Sequence, residues 1–168
     1  MTKEMNNMNN SEKVFSVDDL LGEKLVMMDV QGDNVEEVMK QVCDYAQELG
    51  FVKESYLQAV LEREAIYPTG LPTEVMKVAL PHTTDRSHVL ESGIFIAKLA
   101  NPVAFKEMGD GERDVLVEML FMLAVNGDKE QLTVLQDIVG MFTKNGALQA
   151  LKEADNPRAV IAAVKNHL

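Results

Sequence analysis

The run Val115–Val125 is apolar at every position except Glu118. A strand that is hydrophobic on both faces can leave neither face in water, so it belongs in the middle of a sheet covered by helices, the way parallel and mixed sheets read. Chain breakers bound it: Met108-Gly109-Asp110-Gly111 makes a turn before it and Asn126-Gly127 ends it.

The flanking segments supply the covering helices. Lys24 to Val30 reads as a first strand, turned by Gln31-Gly32. Asp33 then caps a helix, with Glu36 as its capping-box partner. Val35, Val38, Met39, Val42, Tyr45, Ala46 and Leu49 recur at three and four, which makes one buried stripe ended by Gly50. A second helix covers about 54–66, with Tyr56, Leu57, Val60 and Leu61 facing inward. Val75–Leu80 reads as a strand closed by Pro81, and Ile94–Leu99 as another closed by Asn101-Pro102. After the central strand, Asp128 caps a helix with Gln131 at the capping-box position, and Leu132, Leu135, Ile138, Val139 and Phe142 form its apolar stripe. A helical piece near 147–153 and another opening on Asn156-Pro157 complete the chain.

The order β-α-α-β-β-β-α-α-α implies an α/β fold, a three-layer α/β/α sandwich around a mixed sheet. Residues 1–13, with four asparagines among scattered charges, read as a flexible tail, and 14–168 as a single domain with no internal linker or repeat. The whole chain of 168 residues is close to the usual domain size of about 100–150 residues. Only 5% of it is aromatic and it has no tryptophan, so its 11 methionines are expected mainly in the core.

The net charge of −11 argues against binding nucleic-acid backbone or an anionic membrane surface, and a phosphorylated partner would need a local positive site. The single Cys43 cannot form an internal disulfide and fits a reducing compartment. No apolar run approaches the ~20 residues that span a bilayer, and the N-terminus lacks a signal-peptide core, so a soluble cytoplasmic protein is expected.

The chemistry concentrates at Val78-Ala79-Leu80-Pro81-His82-Thr83-Thr84-Asp85-Arg86-Ser87. Pro81 ends the strand and places His82 at its lip on a stiff backbone, either as a reactive imidazole or as part of an ordinary strand-end turn. Arg63 lies at the end of a helix that one short reversal connects to that strand. It reads either as an exposed partner in the Glu62-Arg63-Glu64 charge run or as a guanidinium for an anion near His82. His82, Asp85 and His88 also form a conceivable metal trio for a hydrolase. His88 otherwise reads as a surface residue. There is no nucleophile elbow, phosphate loop or dinucleotide fingerprint, and one cysteine excludes the usual structural zinc sets.

Arg63-Glu64-Ala65, Pro68-Thr69-Gly70 and Ala79-Leu80-Pro81-His82, in that order, resemble the enzyme IIA domains of the bacterial sugar phosphotransferase system, fructose–mannitol superfamily. The buried strand Met119–Val125 and the helix carrying Gln131, Leu132 and Leu135 fit the same family, so the resemblance covers roughly residues 15–168. The form Arg-Glu-Ala-x-x-Pro-Thr-Gly is more similar to galactitol-type than to mannitol-type members. Gln131, where mannitol-type relatives carry a second histidine, points the same way. The resemblance implies a cytoplasmic phosphocarrier. His82 accepts a phosphoryl group from HPr and passes it to a cysteine of enzyme IIB, and the sugar is phosphorylated as it crosses enzyme IIC. It implies Arg63 as the charge stabiliser, an apolar rim to which Leu80 contributes, and no metal or organic cofactor. Gln131 either donates to a phosphoryl oxygen or serves only as the capping-box partner of Asp128. A regulatory phosphoprotein of the same fold, a metal-dependent hydrolase and a pure binding scaffold stand as the alternatives.

Overall fold

The computed structural model describes residues 15–168, so the expected N-terminal tail lies outside the described residues. Five strands form one sheet: β1 (Val26–Val30), β2 (Gly70–Leu71), β3 (Val78–Ala79), β4 (Gly93–Lys106) and β5 (Asp114–Ala124). Their order across the sheet is β1-β4-β5-β3-β2. β4 and β5 pair antiparallel, β1 joins β4 and β3 joins β5 in parallel, and β2 closes the edge antiparallel to β3. The sheet is therefore mixed, and β5 is its central strand.

Helices cover both faces. On one face α1 (Val35–Glu48) and α2 (Tyr56–Ile66) pack Val38, Met39, Val42 and Val60 against Phe95, Ala97, Leu120 and Met122. On the other, α3 (Asp128–Phe142), α4 (Ala147–Glu153) and α5 (Pro157–His167) pack Val134, Ile138, Leu151 and Val164 against Ile94, Ile96, Phe121 and Leu123. Neighbouring residues of β4 and β5 thus feed opposite cores, which is what the continuous apolar run of β5 requires. Met39, Met76, Met119, Met122 and Met141 are buried, filling the space that a core poor in aromatics leaves. Among the described residues no helix is long and apolar enough to cross a membrane.

Several boundaries differ from the sequence expectations. The strand expected over Val75–Leu80 is paired only at Val78–Ala79, and β2 was not foreseen; two-residue strands carry no periodicity to read. β4 runs on through Asn101-Pro102 because the ladder shifts register between Lys98 and Val103, so the proline sits where a backbone donor is not needed. The cap of α1 is Asn34 rather than Asp33: its Oδ1 accepts the Glu37 N–H at 2.9 Å, and Glu37 in turn accepts the Asp33 N–H at 2.7 Å. Both asparagine and aspartate cap well, and the extended backbone falls on the asparagine.

The start of α3 shifts as well. Gly127 is the cap residue and Asp128 the first helical residue, with no side-chain cap bond. Gln131 is therefore one position too far along to serve in a capping box, and its backbone N–H is already bonded to the Gly127 carbonyl at 2.9 Å. Glu130 folds over the helix start instead, so that a Cβ at position 127 would overlap its carboxylate. Leu132, expected in the apolar stripe, is exposed, and the stripe runs through Val134, Ile138, Met141 and Phe142.

Candidate active site

His82 follows the short strand β3 and continues its direction beside β5. The Pro81 carbonyl accepts the Leu123 N–H at 3.0 Å, and His82 itself bridges to Leu123. Proline has no N–H to give the ladder, which continues only as this isolated bridge, and His82 stands at the lip of the sheet. His82 is only 6% exposed. Its Nδ1 lies 2.6 Å from the Leu80 carbonyl oxygen. A carbonyl can only accept, so Nδ1 carries the proton and Nε2 is left with a free lone pair. Burial, reinforced by the Arg63 charge, holds the imidazole below its ordinary pKa, against the pull of the Leu80 bond. The ring thus favours the neutral form, with one ring nitrogen, Nε2, unengaged.

Arg63 occupies the last turn of α2. Its guanidinium lies over the Tyr67 ring at 4.9 Å, a cation–π contact that fixes the planar group. Its Nε is buried and has no hydrogen-bond partner. The surface ion-pair reading of the Glu62-Arg63-Glu64 run does not hold: Glu62 accepts from Gln58, Glu64 turns inward, and none of the ion pairs among the described residues involves Arg63. A buried donor without a partner costs about 1–3 kcal/mol.

His82 and Arg63 line one open cavity of about 400 Å³ together with Thr84, Asp128, Gln131, Leu132 and Leu135. The three residues singled out from the sequence, His82, Arg63 and Gln131, are therefore brought together. Leu80, expected in an apolar rim, is fully buried and cannot belong to it; an inward-facing residue beside the proline points into the core between sheet and helices. The apolar rim is made by Leu132 and Leu135 of α3, with Leu132 55% exposed.

Asp85 and His88 form a different structure. Asp85 caps the short 3-10 turn Arg86–His88, accepting from the Ser87 N–H at 3.0 Å and the Ser87 hydroxyl at 2.6 Å. Those bonds, chiefly, hold its carboxyl below the usual range. His88 spends both ring nitrogens: Nε2 is 3.1 Å from Asp85 Oδ2 and Nδ1 is 2.7 Å from Ser55 Oγ. Among the described residues no three His, Cys, Asp or Glu side chains gather as a metal site, so the proposed trio is not assembled.

Glu64 and Thr69, both buried and polar, were given no role of their own from the sequence. Glu64 follows Tyr56 and Val60 on the buried stripe of α2, at the spacing of an apolar residue. Its carboxylate accepts the Thr69 N–H and the Thr69 hydroxyl, each at 2.7 Å. Burial pushes the Glu64 carboxyl up to about 7, opposed by the two Thr69 bonds and the Arg63 charge. Thr69 Oγ1 in turn accepts the Leu80 N–H at 3.1 Å. Gly70 follows because a Cβ there would lie 2.6 Å from the Lys106 carbonyl oxygen, where the sheet edge approaches the end of β4. A carboxylate at an apolar position of a helical stripe was the available signal.

A family model described as "Phosphoenolpyruvate-dependent sugar phosphotransferase system, EIIA 2" matches residues 19–167. The galactitol-specific EIIA component of Escherichia coli K12 is 29% identical over 115 residues, which cover 68% of this chain and 75% of that protein. The mannitol-specific EIICBA component of Pasteurella multocida is 29% identical over 148 residues, 87% of this chain but 23% of that larger protein. Among solved structures, the complex of mannitol enzyme IIA with phosphorylated mannitol enzyme IIB from Escherichia coli aligns with a TM-score of 0.72 at 20% identity, covering 87% of this chain and 97% of that one. A PTS IIA protein of Streptococcus mutans aligns with a TM-score of 0.68 at 23% identity, covering 84% and 87%. At these identities the structural likeness shows the fold.

Proposed function

The chain belongs to the EIIA 2 family of the phosphoenolpyruvate-dependent sugar phosphotransferase system, and on that premise we propose that His82 is its phosphoryl acceptor and donor. One observation carries the reading: His82 keeps a single free ring nitrogen and lines one cavity with Arg63, a guanidinium that no carboxylate among the described residues neutralises.

In the accepting step, Nε2 of His82 attacks the phosphorus of a phosphohistidine on HPr. The Nε2–P bond forms, the donor's P–N bond breaks, and the donor imidazole leaves with the electron pair. Nδ1 keeps its proton, so the phosphorylated ring is an imidazolium whose N–H remains on the Leu80 carbonyl. Arg63 faces the phosphoryl oxygens, where a planar guanidinium offsets charge spread over several oxygens. In the donating step a cysteine thiolate of enzyme IIB attacks the same phosphorus. His82 leaves as the neutral Nδ1–H imidazole from which it began, so no external proton is required. The work is positioning and charge stabilisation, which this family of reactions chiefly needs.

Gln131 offers a neutral amide to the phosphoryl group. The exposed Leu132 and half-buried Leu135 give the docking rim for HPr and enzyme IIB, encounters expected to be small in area. The similarity to a galactitol-specific relative supports a galactitol-like system in the cytoplasm, feeding a membrane enzyme IIC. Incubation with phosphoenolpyruvate and the general phosphotransferase proteins should label the protein, and a cognate enzyme IIB should then take up the label on cysteine. Absence of labelling overturns the proposal; labelling without onward transfer assigns the protein to signalling instead.

A further inference from the structure

The lip that carries His82 is held differently on its two sides. Toward β5 the hold is backbone to backbone, from the Leu123 N–H to the Pro81 carbonyl. Toward β2 the backbone ladder stops: the last pairs are Leu71 with Val78 and Gly70 with Ala79. The next register position places Thr69 opposite Leu80, but the Thr69 N–H is already bonded to Glu64. The Thr69 hydroxyl replaces the missing rung, accepting from the Leu80 N–H while donating to Glu64 Oε1. Leu80 is also the residue whose carbonyl accepts His82 Nδ1–H.

We propose that Glu64 and Thr69 are positioning residues for His82, acting through Leu80 to fix the imidazole's tautomer and aim its Nε2. The bonds form a directional series. When ionised, as it is above its pKa of about 7, the Glu64 carboxylate has two acceptor oxygens and takes both Thr69 donors. With its proton committed to Glu64, the Thr69 hydroxyl presents only lone pairs to Leu80 and cannot turn away as a donor. Leu80 is then held at its N–H, and its carbonyl is presented at one place to the ring. All four residues are buried, so no water competes for these bonds. The series touches no reacting atom. Its effect is to suppress the Nε2–H tautomer, which has no lone pair on the attacking nitrogen, and to keep the ring in line.

The inference rests on the phosphocarrier reading for its kinetic consequence, while its tautomer consequence stands without it. The test is nitrogen-15 NMR of His82 in the unphosphorylated protein, with single-turnover phosphoryl acceptance from phospho-HPr, for Thr69→Val, Thr69→Ser and Glu64→Gln. Thr69→Ser retains the hydroxyl and should keep the Nδ1–H tautomer and most of the rate. Thr69→Val keeps the shape and loses the rung. It should move the His82 signals toward mixed tautomers and slow acceptance by about ten- to a hundredfold, the scale of a small misplacement of a reacting group. Glu64→Gln sets an amide N–H₂ against one Thr69 donor and should shift both readouts in the same direction by less. It carries the test if Thr69→Val does not fold. Folded variants that keep the wild-type tautomer pattern and rate overturn the inference. Should the wild type take no phosphoryl group, the phosphocarrier proposal fails and the tautomer pattern alone decides this one.

Discussion

His82 and His88 lie one short loop apart, and both sit beside oxygen acceptors, yet they are built for different ends. His88 is tied at both nitrogens, to Asp85 and to Ser55, on an exposed turn. A ring with both nitrogens engaged has no lone pair to offer, and its bonds staple the loop after β3 to the start of α2. His82 is tied at one nitrogen, to a backbone carbonyl rather than a carboxylate, and is buried except toward the cavity. At His82 burial and the nearby guanidinium favour the neutral ring and outweigh the opposite pull of the neutral Leu80 carbonyl. On the proposed assignment, reactivity follows from how many nitrogens are spent and on what, and not from proximity to acidic residues.

The strongest way to break the contrast is to remove each ring in turn. His82→Ala should abolish phosphorylation by phospho-HPr with the circular dichroism spectrum unchanged. His88→Ala should leave transfer within about twofold of wild type and cost about 1 kcal/mol, the scale of the bonds to Asp85 and Ser55 that it loses. Labelling that survives in the first variant, or is lost in the second, reverses the assignment of the two histidines.

The guanidinium comes next in size. Arg63→Ala should slow single-turnover transfer by about ten- to a hundredfold, matching roughly 1.5–3 kcal/mol for a hydrogen bond to a charged group if it is fully expressed at the transition state. Arg63→Lys should restore only part, since an ammonium lacks the planar fork. Equal rates in Arg63→Ala and wild type would leave the buried Nε without a function.

Gln131 sharpens the comparison at a smaller scale. Because it is not in a capping box, Gln131→Ala should change stability by less than about 0.5 kcal/mol. A neutral hydrogen bond to the phosphoryl group predicts a slowing of roughly two- to tenfold. Gln131→His should remain competent for transfer. A melting shift with unaltered rates would remove Gln131 from the site.

The smallest effect is in the titration of His82. Its folded pKa is lowered, so the neutral ring should persist below the ordinary value of 6.5. Above 6.5 both folded and unfolded rings are neutral and this group adds no pH dependence. As the pH falls from 6.5 toward the lowered folded pKa the unfolded chain binds the proton first, and stability declines. An NMR midpoint for His82 at or above 6.5 contradicts the burial and Arg63 argument.

The large features of the fold were legible because they are periodic. The run Val115–Val125 marked the central strand, the stripe of α1 marked a covering helix, and Asn156-Pro157 marked the start of α5, where Asn156 indeed accepts the Ala159 N–H. What escaped was short or ambiguous. β2 and β3 are two residues each, β4 crosses a proline by slipping register, and adjacent capping residues at 33–34 and 127–128 moved two helix starts by one. The approach of Arg63 to His82 was legible because the proline fixes one and a helix end fixes the other, whereas Gln131 was singled out by the family resemblance. The Glu64–Thr69 connection was not, since its meaning depends on a side chain replacing a rung of the ladder, which only the strand register reveals.

The most direct test of the account is to phosphorylate the protein from phosphoenolpyruvate through the general phosphotransferase proteins and to determine by NMR which nitrogen carries the phosphorus. The account predicts Nε2 of His82, with Nδ1 still protonated. Phosphorus on Nδ1 of His82, or on His88, would contradict it.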